Sequence, residues 1–206
     1  MTRIKICGIT RVEDGLACAR LGADAIGLVF YAASPRAVSL VQAREIVQAL
    51  PPFVSTVALF VNPTAAEVEA VLQTVRPDLL QFHGDETPAF CAQFGVRYLK
   101  AVAVKVGHDL LQSAALYRDA AGLLLDTPTA AFGGSGAAFD WALIPPELAQ
   151  GCVLAGGLTV ENVDRAIAQV RPWAVDVSSG VEVEKGIKAA DKIAAFIKKV
   201  SDADSA

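Results

Sequence analysis

Several features are scarce in this 206-residue chain, and each scarcity excludes something. It holds four cysteines, Cys7, Cys18, Cys91 and Cys152, widely separated and without a CxxC pair. Neither a zinc site nor a disulfide framework is expected from such spacing, and the thiols should be reduced and buried. Only two histidines, His83 and His108, are present, so no metal site is expected. There is no basic patch: the formal net charge is −4 and both signs are scattered, which disfavours nucleic acid and anionic lipid as partners. Long apolar runs are missing too. Stretches such as VSTVALFV (54–61) are strand-sized, well short of the roughly 20 residues of a membrane helix. The opening residues MTRIKICG enter a strand pattern at once, so no leader peptide and a cytoplasmic location are expected.

What the chain has in quantity is apolar residues, 53% of the total, enough for one large domain. Short β-branched runs alternate with alanine-rich stretches of helical period. RIKIC precedes EDGLACARLG, AIGLVF precedes SLVQAREIVQAL, VSTVALFV precedes TAAEVEAVLQTV, and DLLQF precedes ETPAFCAQFG. The second half continues with RYLKAVAV and a helix around HDLLQSAALYRD, then AGLLLD and a short helix near 142–149. CVLAGG with TVENVDRAIAQV, and WAVDVSSG with DKIAAFIKKV, complete the count. Strands that read as continuous apolar runs are covered on both faces. Eight such units predict a single-domain closed (β/α)8 TIM barrel spanning residues 1–206.

A shift of 95 residues lays LFVNPTAAEVEAVLQTVRP (59–77) on LAGGLTVENVDRAIAQVRP (154–172) without gaps. Leu59 then meets Leu154, Thr64 meets Thr159, and Arg76 meets Arg171. DAIGLVF (24–30) falls on DAAGLLL (119–125), and IKIC (4–7) on LKAV (99–102), with Lys5 over Lys100. The pattern predicts a half-barrel quasi-repeat of about 3–95 and 98–200.

Chemistry in such barrels sits at the carboxyl ends of the strands. The residues there are Cys7, the SPR of 34–36, Asn62, His83, Asp126, the GGL of 156–158 and the SSG of 178–180. Loops after strands seven and eight commonly hold phosphate on backbone N–H groups. Gly156, Gly157, Ser178, Ser179 and Gly180 are therefore expected to form a phosphate cup. Cys7 and Asp126 are the titratable pair. A free thiol is a few per cent thiolate at neutral pH and can act as a base, although an isolated buried cysteine is commonly core. Asp126 can serve as an acid only where its surroundings keep it protonated near neutral pH, at roughly 4 kcal/mol, or it can cap a helix. Arg36 could grip a carboxylate through two parallel hydrogen bonds. His83 could orient a substrate or tie down a loop, and His108 reads as a surface helix residue. GGSGAAFDW (133–141) reads as a lid with glycine hinges.

Together KICGIT, GLVFYAASPR, LFVN, LLQFHG, LLLDT with GGSGAAFDW, LAGGLTVENV and DVSSGVE resemble the phosphoribosylanthranilate isomerase family of tryptophan biosynthesis. The similarity runs from residue 3 to about 197. It implies a barrel that needs no cofactor and no metal. The implied reaction is an Amadori rearrangement of N-(5-phosphoribosyl)anthranilate to 1-(2-carboxyphenylamino)-1-deoxyribulose 5-phosphate. By the same resemblance, Asp126 is the general acid at the ribose ring oxygen and Cys7 the base at C2. Arg36 then holds the anthranilate carboxylate, while Gly156, Gly157, Ser179 and Gly180, with Gly134 from the lid, hold the phosphate. The partner is a small phosphorylated substrate, with a monomer expected ahead of a homodimer. One departure falls at Ala189 and Ala190, where an acidic residue is expected after Lys188. The related isomerase of histidine biosynthesis would place aspartates after strands one and five, where this chain has Cys7 and a valine-rich segment near Val102. Indole-glycerol-phosphate synthase would need a catalytic lysine with glutamates, and no matching glutamate is found. A silent phosphate-binding barrel would be expected to lose Cys7 or Asp126 before its glycines.

Overall fold

Apolar runs bounded by turn residues become strands because both of their faces can be buried, and the alanine-rich stretches between them become the helices that bury the outer face. The computed structural model describes residues 1–128 and 138–205. In the first half the elements are β1 (Arg3–Cys7), α1 (Val12–Leu21), β2 (Ala25–Phe30), α2 (Leu40–Ala49), β3 (Ser55–Phe60), α3 (Ala65–Thr74), β4 (Leu79–Phe82) and α4 (Pro88–Ala92). In the second they are β5 (Tyr98–Ala103), α5 (Leu110–Leu116), β6 (Gly122–Asp126), α6 (Pro146–Ala149), β7 (Val153–Leu154), α7 (Val163–Val170), β8 (Ala174–Val177) and α8 (Ala190–Asp204). A hairpin, β9 (Glu182–Glu184) and β10 (Ile187–Lys188), lies between β8 and α8.

Strands β1 to β8 form a closed parallel barrel in chain order, with β8 pairing back onto β1 from Arg3↔Ala174 to Ile6↔Val177. Side chains alternate across the wall. Ile4, Ile6, Leu80, Phe82, Leu125 and Val175 pack outward under the helices. Leu99, Ala101, Leu124, Val153 and Ala174 fill the interior, and Cys7, Val29, Leu59 and Val61 close its upper layer.

Local chemistry fixes the helix ends. Ser39 with Gln42 and Thr64 with Glu67 form reciprocal capping boxes on α2 and α3. The helix expected near 142–149 is split into a 3-10 turn, Trp141–Leu143, and α6. The reason is Pro145–Pro146, which holds Ile144 extended and restarts the helix at its first turn. His108 is not a helix residue: it precedes Asp109, the N-cap of α5, and its Nε2 lies 2.8 Å from Ser113 Oγ. Ala189, at the N-cap of α8, gives that helix no side-chain cap.

The offset of 95 brings together two arginines in the left-handed region, Arg76 (φ 57°) and Arg171 (φ 54°), each at the end of a helix. It does not keep side-chain direction in every strand. Leu59 faces the interior while Leu154 packs under the helices, and Lys5 points inward while Lys100 points outward. In a two-residue repeat, one position of slip exchanges the faces.

Candidate active site

Cys7 ends β1 with its thiol inside the barrel, in a cavity at the carboxyl ends of the strands. Gly27 makes the room. A Cβ there would stand 2.8 Å from Cys7 Sγ and 3.2 Å from Lys5 Cε, closer than a side chain tolerates. Lys5, one step down the same face, donates to Asp176 Oδ1 on β8 at 2.9 Å and is the nearest cation acting on the thiol. Burial pushes the Cys7 thiol up; Lys5 pulls it back and Asp176 opposes that pull, and the net direction is upward. Burial likewise raises the Asp176 carboxyl in spite of Lys5. Burial alone would lower Lys5, but Asp176 and then Cys7 outweigh it, so the ammonium is held above its ordinary value. The other thiols are structural. Burial carries Cys18 and Cys91 up to about 12 and Cys152 to about 11, and all three pack in the helix-facing core.

Asp126 ends β6 across the same cavity. Its Oδ1 accepts from Thr127 N at 2.7 Å, and its Oδ2 lies 3.1 Å from His83 Nε2. His83 therefore orients the carboxyl from the end of β4, and its Nδ1 lies 3.0 Å from Gln81 Nε2. Gly156, at φ 79°, allows the turn after β7 to reach Asp126. A Cβ there would come within 2.5 Å of Thr127 Oγ1 and 2.9 Å of Asp126 Oδ1. Gly157, Ser178 and Ser179 line the cavity beside it. Asn162 braces this turn, donating from Nδ2 to Gly157 O and accepting from Thr159 N.

Arg36 reaches the cavity from the loop after β2 and is gripped by Glu182 through two hydrogen bonds, 2.8 Å from Nε and 2.7 Å from Nη2. Lys188 Nζ also donates to Glu182, at 2.8 Å, and to Ser178 O at 3.0 Å. Burial alone would raise the Glu182 carboxyl, but Arg36 and Lys188 outweigh it and hold it below its usual value. Burial draws Lys188 down. Two cations share one carboxylate here, so one positive charge is unmatched beside the cavity. Glu182 occupies the Nε–Nη2 edge of the guanidinium, and the Nη1–Nη2 end remains for a planar anion.

Not every strand-end residue lines the cavity. Gly180 lies behind it, where a Cβ would meet Leu158 O at a prohibitive distance, so this glycine lets the loops after β7 and β8 pack together. Asn62 ties loops: its Oδ1 accepts from Asp85 N at 2.7 Å, and its own N–H donates to Glu86. Gly134 and the hinge glycines around it lie outside the described residues. The residues missed in the sequence were Asp176, Gln81, Gly27, Glu182 and Lys188. An available signal was a polar residue inside an apolar run, as in WAVDV and LLQF.

A closed parallel barrel with a cavity at the carboxyl ends of its strands, lined by a thiol, a carboxyl and a glycine turn, has the architecture of the (β/α)8 enzymes. The sequence pattern of N-(5'phosphoribosyl)anthranilate (PRA) isomerase matches residues 4–199. An N-(5'-phosphoribosyl)anthranilate isomerase of Stutzerimonas stutzeri is 59% identical over 201 residues, 97% of each chain. The phosphoribosyl anthranilate isomerase of Thermotoga maritima superposes with a TM-score of 0.91 at 45% identity, covering 98% of this chain and all of that one. A crystal structure of such an isomerase in complex with reduced 1-(o-carboxyphenylamino)-1-deoxyribulose 5-phosphate gives 0.87 at 42%, with coverage of 98% and 100%. The chain belongs to the N-(5'-phosphoribosyl)anthranilate isomerase family, aldose–ketose isomerases of tryptophan biosynthesis.

Proposed function

We propose that Asp126 and Cys7 divide the proton transfers of the Amadori rearrangement between them. The observation that carries this reading is their placement, a carboxyl from β6 and a thiol from β1 across one cavity, with the Gly156 turn against the carboxyl. Asp126 gives a proton to the ribose ring oxygen as the C1–O bond breaks, and the anthranilate nitrogen supplies the electron pair that makes the Schiff base. Cys7, as thiolate, takes the proton from C2, leaving an enolamine. Moving the enol proton to C1 yields the ketone. Lys5 is the cation that favours the thiolate in a buried place. The free end of Arg36 accepts the anthranilate carboxylate, and the unmatched positive charge there favours an anion. Gly156, Gly157, Ser178 and Ser179 take the phosphate; the crystallised relative bound to a phosphorylated product analogue supports a ligand of this kind.

We propose a monomer as the working unit. Phe53, fully exposed at the opposite mouth of the barrel, is the residue a second copy would cover. Sedimentation of the wild type beside Phe53→Ser decides between the two, because a pair held there dissociates in the variant. Four free thiols support a reducing, cytoplasmic setting. The chemical test follows anthranilate fluorescence with enzymatically generated substrate, beside the histidine-pathway substrate. Cys7→Ala and Asp126→Asn should each lose turnover while still binding a product analogue; near-normal turnover in either removes that residue from the role.

A further inference from the structure

Asp126 has a donor on Oδ1, and whether Oδ2 also accepts depends on which nitrogen of His83 carries the proton. That choice passes to Gln81, fully buried, whose side-chain amide faces His83 Nδ1 at 3.0 Å. With Nε2 of Gln81 turned toward the ring, Nδ1 must accept, the ring proton sits on His83 Nε2, and Asp126 is held as a carboxylate. This arrangement leaves the acid without a proton to give. It also leaves Gln81 Oε1 buried with no hydrogen-bond partner among the described residues. Reversing the amide exchanges an orphan oxygen for an orphan nitrogen, so Gln81 by itself favours neither orientation strongly. The proton on Asp126 decides between them.

The geometry points to a proton store built from Gln81, His83 and Asp126, resting on the reading of Asp126 as the general acid. Gln81 Oε1 accepts from His83 Nδ1–H, and the bare His83 Nε2 accepts from a protonated Asp126 Oδ2. The two hydrogen bonds of the chain reverse polarity together, because in the neutral ring one nitrogen donates where the other accepts. When substrate arrives, rotation about the carboxyl C–O bond turns the stored proton from Nε2 to the ring oxygen. The O–H bond of Asp126 then breaks, the ring O–H bond forms, and a carboxylate remains. The charged groups around it are Asp176 from β8, paired with Lys5 from β1, and Asp85, Lys100 and Lys105, which line a second pocket with His83 and Asp126. His83 and Gln81 are positioning residues in this scheme. They do not touch the reacting atoms.

Because the chain has only two histidines, its imidazole nitrogens give two resolvable patterns in a long-range proton–nitrogen correlation of the 15N-labelled full chain, and His108→Asn assigns them. The expected result for His83 in the wild type is a neutral ring with its proton on Nδ1. A proton on Nε2, or a doubly protonated ring, overturns the proposal. Gln81→Met, whose fold is checked by thermal melting, should lower kcat about tenfold with KM within about twofold, and should mix the two tautomers. An unchanged kcat with an unchanged tautomer also overturns it. Near-normal turnover in Asp126→Asn would sink the acid reading on which it rests. Loss there with an Nε2–H ring in the wild type would sink the store alone.

Discussion

Lys5 and Lys100 align in the sequence, are almost equally buried, and each pairs with a carboxylate at 2.9 Å, yet they stand on opposite sides of the barrel wall. Lys5 lies inside with Asp176 and acts electrostatically on the Cys7 thiol. Lys100 lies outside, where it holds Glu86 and the carbonyls of Phe82 and Gly84 and sits 5.5 Å from the centre of the Tyr117 ring. The outer lysine secures the turn after β4 on which His83 depends. The inner one acts on the thiol proposed as the base. Two ion pairs of similar burial therefore differ in task through one position of strand register, which decides whether the cation meets a loop or a cavity.

The largest effect that would sharpen this contrast is expected at the thiol itself. Cys7→Ala should lower kcat about 1,000-fold with little change in melting temperature, and a mild loss would mean that Lys5 has no reacting group to adjust. Next, Lys100→Met strands the Glu86 carboxylate and should cost about 3–5 kcal/mol in urea unfolding, while kcat of the folded fraction stays within about threefold. A stable variant with poor turnover would put Lys100 on the catalytic side and break the comparison. Arg36→Met should raise KM about tenfold to a hundredfold, the worth of a pair of charge-assisted hydrogen bonds, and leave kcat nearly unchanged. The smallest effect is in pH dependence. Burial holds the thiol above its usual value, so kcat/KM should climb with pH along its acid limb as the thiolate forms. The double variant Lys5→Met with Asp176→Asn removes the pair without stranding a charge. Lys5 acts on the thiol more strongly than Asp176 does, so the limb should move to higher pH. A limb that stays in place would show the inner lysine to be as purely structural as the outer one.

The barrel was legible because burial on both faces writes each strand as an apolar run and each covering helix as an amphipathic one. Cys7, Asp126, Arg36 and the Gly156–Gly157 turn were legible because strand ends are the one place in such a barrel where chemistry is expected. Asp176 and Gln81 were not. Each is a single polar residue within a strand, and its direction depends on register, which neighbouring strands impose and periodicity alone leaves open. The same ambiguity put Lys5 over Lys100. The β9–β10 hairpin was hidden for another reason: strands of three and two residues carry too little pattern to stand out, and Glu182 and Lys188 read as ordinary surface charges until the fold sets Arg36 beside them. His83 was found, but its partner could not be, because β4 and β6 meet around the cavity only after closure.

Gly156 touches both the proposed acid and the proposed phosphate turn, so the two share a wall that no side chain can enter. In evolutionary terms this couples two traits that selection would otherwise adjust separately. A substitution that widened the turn for a bulkier anion would displace the proton donor in the same step. Divergence of this barrel toward other phosphorylated sugars is therefore channelled to Arg36 and its hairpin, which Lys188 joins to Ser178 rather than to the acid.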